Sequence, residues 1–417
     1  MAVEISKEIK LTGEALQQFT AAKIFRESNE HKQSLCFSAD GQRLLVCDHH
    51  NLVVYDCTAM TQRCQVLMHQ FNPEVVCFTS RTDRLLHSCT KSDLAIRCLD
   101  LTTRQHVRHF KGHTDCVRCL SFRPGHEQQF ISAGRDHKLL IWDLRTREYT
   151  QRFHHLENPL LAYDPTGLVF ATSNKTNRIE IHDVRMLSEK PCHKFNYKLK
   201  STANWTQLQF APNGDSILIS TDHSWCFSVD AFSGDFQQSY SGYSNEQQLP
   251  LPACYTSDSQ LVLSGADAGR IYAWDASSGK LMAVLMSNSL HPVRCLQFHP
   301  NMAMFVSSDV MTVFWLPKAN GQYEFVEKSR EPTPSTPPTP PTPQTPPLPA
   351  IDLTNDQDQD DEKDVQFVGR RMNYPLSKQL MRRNRLKRRL ALGQEDDSPE
   401  DGEVSDGGTA TTVASEA

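Results

Sequence analysis

The chain has 417 residues, of which 22% are charged, and a formal net charge of -5. This mild balance argues against a folded body built to coat nucleic acid. No apolar run approaches the roughly 18 residues that a membrane-spanning helix needs, and the opening "MAVEISKEIK" lacks the apolar core of a signal peptide. The 13 cysteines, many of them inside strand-like runs, favour a reducing, intracellular compartment.

The N-terminal part stands before any repeat. We assign residues 1–20 to an N-terminal segment, and the following "AAKIFRE" (21–27) has the composition of a β-strand. No companion strand stands next to it. Its partner must therefore come from another part of the chain.

A self-similar unit recurs seven times between residues 37 and 317. Each copy has an aromatic residue that ends one strand, then a turn, an apolar strand, a second turn and another strand. The opening aromatics are spaced 41, 44, 41, 47, 45 and 43 residues apart, at Phe37, Phe78, Phe122, Tyr163, Phe210, Tyr255 and Phe298. A period of about 40 to 45 residues is typical of the four-stranded blades of a β-propeller. The third copy has the clearest signature, in "GHTDCV" (112–117) and "KLLIWDLR" (138–145).

The strands within each copy are short, apolar and bounded by Asp-Gly, Asn-Gly or Ser-Asp turns, which is the antiparallel hairpin pattern. A fourth, more polar strand is expected after each copy, as in "CQVLMH" (64–69) and "YTQRF" (149–153). The seventh copy lacks one, because the chain after residue 317 runs into proline. We therefore predict an all-β, seven-bladed WD-repeat β-propeller over residues 21–317, closed by the N-terminal strand 21–27 and followed by a disordered C-terminal tail.

Polar residues of the third copy stand at the positions of a buried, hydrogen-bonded tetrad. They are His113, Ser132, Asp136 and Trp142. Buried polar groups must find partners, so such a set specifies blade geometry. His, Ser and Asp together also suggest a hydrolase triad, but the sequence has no nucleophile elbow and the spacing is that of blade packing. We predict no catalytic residue.

The third copy also contains the one CxxC pair of the chain, Cys116 and Cys119. No second pair lies at the spacing of a zinc ribbon, and alternation along a strand places the two cysteines on opposite faces. We expect core cysteines, no metal site and no cofactor.

Several stretches outside the general repeat pattern resemble one family. They include "YDPTGLVFATS" (163–173), "WTQLQFAPNGDSILIST" (205–221), "GYSN" (242–245) and "VFWLP" (313–317). These stretches are similar to the Swd-two-type WD-repeat subunit, a family shared by the COMPASS histone H3 methyltransferase and, in animals, by the PNUTS protein phosphatase complex. The similarity covers about residues 11–317.

The resemblance implies a nuclear, non-enzymatic scaffold. Its implied partners are subunits of a Set-domain histone methyltransferase complex, the PNUTS phosphatase complex and the phosphorylated tail of RNA polymerase II. A phosphorylated peptide requires Lys or Arg donors where loops of several blades converge. The candidates lie on loops between second and third strands and are Lys91, Arg135 and Lys175. The alternative is that these are ordinary solvated loop charges.

Composition changes after the repeats. We assign residues 318–349 to a Pro/Thr-rich linker and residues 350–417 to a disordered tail with acidic, basic and acidic blocks. Threonines followed by proline recur at every third position, at Thr333, Thr336, Thr339, Thr342 and Thr345. Polyproline II has about three residues per turn, so these hydroxyls share one face. They suit proline-directed phosphorylation or an SH3 or WW reader; a plain spacer is the alternative.

The start of the tail, "AIDLTNDQDQDDE" (350–362), resembles a SUMO-interacting motif. Its apolar core is Ile351, Asp352 and Leu353, which would add a strand to the edge of a sheet while the following acidic residues meet basic ones beside it. Ala350 departs from the branched residue usual at that position. A SUMO protein is therefore a further candidate partner.

A basic cluster follows at 370–392, with nine Lys or Arg and no acidic residue. Such clusters indicate nuclear import or nucleic-acid contact. No aromatic residue follows the basic residues from Lys378 onwards to stack on bases, which favours import over sequence-specific nucleic-acid binding. The residues assigned to import are Arg382, Arg383, Arg385, Lys387, Arg388 and Arg389.

We therefore predict a nuclear scaffold or adaptor subunit of a chromatin-modifying or polymerase-associated complex. A second interpretation comes from "WDLR" (142–145) and "HDVR" (182–185), which resemble the WDxR signature of substrate receptors for cullin-RING ubiquitin ligases. In such receptors Arg145 or Arg185 would face the ligase adaptor. An enzymatic interpretation lacks a nucleophile, a metal site or a phosphate-cradling group.

Overall fold

The computed structural model describes residues 11–318, except 155, 175–176, 188–189, 198–202 and 288. In this part of the chain, 28 strands form seven antiparallel four-stranded sheets. The same residues contain one short helix, α1 (Gly13–Gln17), and two 3-10 turns, Val184–Met186 and Asp267–Gly269. The prediction of an all-β, seven-bladed propeller is confirmed. No helix among the described residues has the length and apolar character needed to cross a membrane.

The strands follow one another blade by blade, after the closing strand β1 (Phe19–Phe25). Blade 1 has β2 (Ser34–Phe37), β3 (Arg43–Cys47), β4 (Asn51–Asp56) and β5 (Thr61–Leu67); blade 2 has β6 (Val76–Phe78), β7 (Arg84–His87), β8 (Ile96–Asp100) and β9 (Gln105–Phe110). Blade 3 has β10 (Val117–Phe122), β11 (Gln129–Gly134), β12 (Leu139–Asp143) and β13 (Tyr149–Phe153); blade 4 has β14 (Leu161–Tyr163), β15 (Val169–Ser173), β16 (Arg178–Asp183) and β17 (His193–Asn196). Blade 5 has β18 (Trp205–Phe210), β19 (Ser216–Thr221), β20 (Trp225–Asp230) and β21 (Phe236–Ser241); blade 6 has β22 (Ala253–Tyr255), β23 (Leu261–Gly265), β24 (Arg270–Asp275) and β25 (Leu281–Met286). Blade 7 has β26 (Cys295–Phe298), β27 (Phe305–Ser308) and β28 (Thr312–Pro317).

The first strand of each blade is innermost, and β2 contacts β6 on one side and β26 on the other, which closes the ring. The predicted N-terminal strand completes blade 7: β1 pairs antiparallel with β28, with Phe19 opposite Pro317 and Phe25 opposite Thr312. The strand begins two residues earlier than the sequence indicated. The reason is Phe19, which is 3% exposed and stacks on Phe305 at 5.6 Å between ring centroids.

The core consists of apolar clusters between neighbouring blades. One such cluster joins Leu86 and Phe110 of blade 2 to Phe130 and Trp142 of blade 3. The rings of Phe130 and Trp142 are stacked 5.9 Å apart. Because the middle strands of a blade are covered on both faces, they read as nearly continuous apolar runs rather than alternating ones, as in β12.

The outer strands are mostly polar, as predicted, although β5 starts at Thr61, three residues before the predicted position. A polar outer strand can face water while its neighbours remain buried. Blade 6 differs, because β25 has the sequence LMAVLM and exposes several of its apolar side chains. The expectation of a polar fourth strand is therefore wrong for this blade.

Candidate functional site

The ring presents two rims. We call upper face the rim that carries the loops from second to third strands and from each outer strand to the next blade; the lower face carries the other loops. Antiparallel strands within each sheet bring these loop sets to opposite ends. Polar and charged side chains from different blades can come together at these rims, whereas the faces between neighbouring blades are filled by the apolar core.

The four predicted tetrad residues form one hydrogen-bonded chain that runs from the upper rim of blade 3 into the body of the blade. Trp142 Nε1 donates to Ser132 Oγ at 2.8 Å, and Ser132 Oγ lies 2.7 Å from His113 Nε2. His113 Nδ1 lies 2.9 Å from Asp136 Oδ1. A carboxylate only accepts, so Nδ1 carries the proton and Nε2 accepts from the serine hydroxyl.

The second oxygen of Asp136 is also engaged, since the Thr114 amide donates to Oδ2 at 2.9 Å and Lys138 Nζ lies 3.4 Å from it. Burial opposes ionisation of this carboxyl, but the hydrogen bonds from His113 and Thr114, with the charge of Lys138, hold its pKa below the usual range. Gly134 leaves the room for this pair, because a Cβ there would lie 2.6 Å from both His113 Nδ1 and Asp136 Oδ1.

The Ser132, His113 and Asp136 contacts have the connectivity of a hydrolase triad, but the serine is inaccessible. Ser132 is 0% exposed and its hydroxyl oxygen already accepts the indole hydrogen bond. A nucleophile must reach a substrate carbonyl, and this hydroxyl has no open side. The arrangement therefore acts on the blade and not on a bound molecule.

Two of the three predicted phosphopeptide residues lie on the upper face. Lys91 is exposed on the loop from β7 to β8, and its Nζ donates to the His69 carbonyl at 3.2 Å. Arg135 is exposed on the loop from β11 to β12, where its amide donates to the Cys116 carbonyl at 2.9 Å. The structure does not bring their side chains into one contact. Lys175 lies outside the described residues.

Arg118 is a basic residue of this rim that the sequence interpretation missed. It sits in a bulge of the inner strand β10, where pairing shifts between Val117 and Cys119. The Nη1 atom of its guanidinium lies 3.5 Å from Asn158 Oδ1, which is an uncharged amide oxygen. The Arg135 amide donates to the Cys116 carbonyl, and Arg118 follows Cys116 by two residues. The two arginines therefore lie on either side of Cys116 in blade 3. The sequence signal that was overlooked is an arginine inside an otherwise mostly apolar inner strand.

The segment that joins β1 to β2, which we call the strap (residues 26–33), is fixed by a buried ion network. Lys32 Nζ lies 3.0 Å from Asp48 Oδ2 and 3.3 Å from Glu27 Oε2, and these side chains are at most 1% exposed. Ser28 Oγ accepts from Lys32 at 3.0 Å and donates to Asp48 at 2.7 Å. Burial raises the pKa of Asp48, but hydrogen bonds from Ser28 and the His50 amide, with the Lys32 charge, hold it below its usual value.

Two histidines form contacts that link the strap to blade 7 and to blade 1. His31 Nδ1 lies 2.7 Å from Asp309 Oδ1 of blade 7, and His50 Nδ1 of blade 1 lies 2.6 Å from Glu30 Oε1. The Lys32 amide also donates to the Asp309 carbonyl at 2.7 Å. The strap therefore links the two ends of the ring through side chains and backbone.

The two WDxR arginines lie on the lower face. Arg145 donates twice to Asp143, from Nε at 2.9 Å and Nη2 at 2.7 Å, and Arg185 makes the same pair of bonds to Asp183 at 3.0 and 2.6 Å. The Arg145 side chain is 71% exposed and that of Arg185 is 40% exposed. Each guanidinium is thus held by the aspartate that closes its own strand.

The CxxC pair is divided between a loop and a strand: Cys116 precedes β10 and Cys119 lies within it. Across the residues that the structure describes, no group of three or more His, Cys, Asp or Glu side chains is placed to hold a metal ion. The remaining predicted sites fall outside the described residues. These are the threonines 333–345, the SUMO-type motif 351–353 and the basic residues 382–389.

Sequence comparison agrees with this architecture. The profile of the WD domain, G-beta repeat, matches residues 104–143, which run from the turn before β9 to the end of β12. The fold and this match define a WD-repeat propeller protein. WD repeat-containing protein 82 of Drosophila melanogaster is 35% identical over 311 residues, covering 74% of this chain and 98% of the relative. The chain therefore belongs to the WD repeat-containing protein 82 and Swd2 family, which confirms the resemblance found in the sequence.

The names of two fungal relatives include the complex to which each relative belongs. The COMPASS component SWD2 of Saccharomyces cerevisiae is 27% identical over 299 residues, covering 68% of this chain and 90% of the relative. The Set1 complex component swd2 of Schizosaccharomyces pombe is 27% identical over 205 residues, which cover 48% of this chain and 57% of the relative. Both names describe subunits of multiprotein complexes.

Proposed function

We propose that this chain is a non-enzymatic scaffold subunit of a nuclear Set-domain histone H3 methyltransferase complex. The observation that carries the proposal is the 35% identity to WD repeat-containing protein 82 over nearly the whole of that relative, together with the COMPASS and Set1 names of the fungal members. A ring of seven blades with its polar tetrad buried suits a subunit that binds other proteins through its rims. Participation in a PNUTS phosphatase complex belongs to the same proposal.

The upper face is our proposed contact with the phosphorylated tail of RNA polymerase II. Its support is chemical: a phosphate prefers guanidinium donors, and Arg118 and Arg135 have no carboxylate partner within the described residues. Lys91 stands on the neighbouring blade with its ammonium bound only to a carbonyl. These three cations are the donors that we assign to the phosphopeptide, with Lys175 kept as a fourth prediction.

Co-purification tests the scaffold role. The full-length chain is recovered from nuclear extract and its partners are identified by mass spectrometry. We expect Set-domain methyltransferase subunits, accompanied by PNUTS phosphatase subunits if the chain joins both complexes. Recovery of no methyltransferase subunit, for example with cullin subunits in their place, would overturn the proposal.

Peptide binding tests the upper face. A serine-phosphorylated peptide of the RNA polymerase II tail is titrated against the full-length chain and against its Arg118→Glu and Arg135→Glu variants. Each reversal should weaken binding by roughly tenfold or more, because one charge-assisted pair is replaced by repulsion. Arg108→Glu, the same change on the exposed outer strand β9, is the control. Equal effects of the control and the upper-face variants would reject the assignment.

The tail residues keep their predicted roles as further proposals. The basic residues 382–389 would direct nuclear import, the motif 351–353 would bind a SUMO protein, and the threonines of 333–345 would be phosphorylated. Each acts outside the ring. None of them is needed for the scaffold role.

A further inference from the structure

The outer edge of blade 6 is unusually apolar. We call it the blade 6 edge (residues 281–287 and 289–290). Of the eight large apolar side chains that are exposed in the described residues, four lie in this stretch: Leu281 at 45%, Val284 at 43%, Met286 at 64% and Leu290 at 89%. No other outer strand described has more than one. Leu281, Val284 and Met286 lie on the single strand β25, and Leu290 follows it. Such clustering of exposed apolar side chains marks an interaction site rather than ordinary surface.

The backbone of this edge is also open. β25 is the last strand of its sheet and pairs only with β24. Helix α1 occupies its lower end, where Gln17 Nε2 donates to the Met282 carbonyl at 2.8 Å and Gly13 lies against the Met282 side chain. Beyond that point, no described strand pairs with Ala283–Met286. An open apolar strand edge is a template on which another strand can add.

A positively charged side chain lies at each end of strand β25 in the blade 6 edge. Arg270 is paired in register opposite Met286 at the upper end, and Lys280 precedes Leu281 at the lower end. Both side chains are exposed and neither makes an ion pair or side-chain hydrogen bond within the described residues. Many other basic side chains of the ring are neutralised, for example Arg63 by Asp56. The blade 6 edge therefore has two positive charges without an ion-pair partner among the described residues, one at each end of its apolar strand.

We propose that the blade 6 edge docks an extended segment of a partner subunit as an added strand. The segment has apolar residues at alternate positions, which pack on Val284 and Met286, and acidic residues at its ends, which meet Arg270 and Lys280. Strand addition supplies main-chain hydrogen bonds for affinity, and the side-chain contacts supply selectivity. The partner is a subunit of the methyltransferase assembly, so this inference rests on the proposed function.

The test uses the full-length chain with Val284→Glu and Met286→Glu together. These side chains are exposed, so the double variant should keep the unfolding midpoint of the wild type, while the new carboxylates repel an acidic segment. We expect recovery of Set-domain methyltransferase subunits from nuclear extract to fall at least about tenfold. Phe236→Glu is the matched control, because Phe236 is 54% exposed on the outer strand of blade 5. Its recovery should equal that of the wild type.

The outcomes separate this inference from the proposed function. Equal recovery by the wild type and the double variant overturns the docking edge and leaves the proposed function standing. If the wild type recovers no methyltransferase subunit, the proposed function fails and the docking partner fails with it. Loss of recovery in the double variant alone supports both.

Hydrogen exchange identifies what covers the edge. Amide exchange at residues 283–286 is measured in the full-length chain alone, at low and high concentration, and in the recovered assembly. Slower exchange only in the assembly supports the added strand. Protection already present in the dilute chain would assign the edge to the chain's own C-terminal segment, and protection only at high concentration would assign it to a second copy. Either result, or unchanged exchange in the assembly, overturns the proposal.

Discussion

The ammonium of Lys32 lies 3.0 Å from the Asp48 carboxylate, and neither side chain is more than 1% exposed. Glu27 is the second carboxylate of this network, at 3.3 Å, and its oxygens have no hydrogen-bond donor. One buried cation thus compensates two buried anions. The network lies between the closing strand and blade 1, so its integrity bears directly on closure of the ring.

Replacement of Lys32 by methionine should destabilise the propeller strongly. Removing one partner of a buried ion pair leaves the other charges uncompensated, which costs about 3 to 5 kcal/mol. Urea denaturation followed by circular dichroism measures the free energy of unfolding. A second variant, Lys32→Met with Glu27→Gln, removes one of the stranded charges and should recover part of the loss. A loss below that of Lys23→Met, a change at an exposed position of β1, would contradict the prediction.

Loss of the Ser132 hydroxyl should cost more than loss of the Ser307 hydroxyl. Ser132 serves both Trp142 and His113, whereas Ser307 Oγ accepts from Trp315 Nε1 at 2.8 Å in blade 7. An unsatisfied buried polar group costs about 1 to 3 kcal/mol, so Ser132→Ala should lose about twice as much as Ser307→Ala. Chemical denaturation of the two variants under one condition gives the comparison. Equal losses would mean that the His113 branch contributes nothing.

The stability of the propeller should fall in mild acid. His87 Nε2 lies 3.0 Å from His106 Nε2, and burial lowers the pKa of each histidine to about 3; the neighbouring His106 also disfavours the charged form of His87, and Arg97 that of His106. An unfolded histidine has a pKa of about 6.5, so between about pH 6.5 and 3 the unfolded chain binds protons that the folded chain does not. The free energy of unfolding must therefore decrease as the pH falls through this window.

His87→Gln should make that decrease smaller. From pH 7 to pH 5, one such histidine contributes about 2 kcal/mol of the loss, and the variant should lack this share. The comparison is between pH slopes and not absolute stabilities, because the substitution also changes packing. His291→Gln, at an exposed position, is the control and should keep the wild-type slope. An unchanged slope for His87→Gln would show that His87 is protonated in the folded state.

Replacement of Arg145 and Arg185 by alanine decides the ubiquitin-ligase interpretation. Both guanidiniums are bound to the aspartates of their own strands, and we assign partner docking to other surfaces. Recovery of methyltransferase subunits by the full-length double variant should therefore equal that of the wild type, with no cullin subunit recovered by either. Recovery of cullin subunits with the wild type and their loss in the variant would establish the alternative.

The sequence by itself determined the seven blades, the N-terminal closing strand and the family. These features depend on local patterns: a period set by aromatic residues, turn chemistry between short strands, and stretches of similarity that need no contact map. The tetrad residues were also visible, because their spacing is fixed within one blade. Their hydrogen bonds only required that the blade fold as its pattern predicts.

Only the tertiary structure decided the contacts that ring closure creates. His31 and Asp309 are 278 positions apart in the chain, and Lys32 gains its buried partners because the strap is held between the first and last blades. The exposure of Met286 likewise depends on which strand is outermost and on how far α1 reaches along it. Such properties belong to the closed ring, because local periodicity does not specify which distant residues a closing strand brings together.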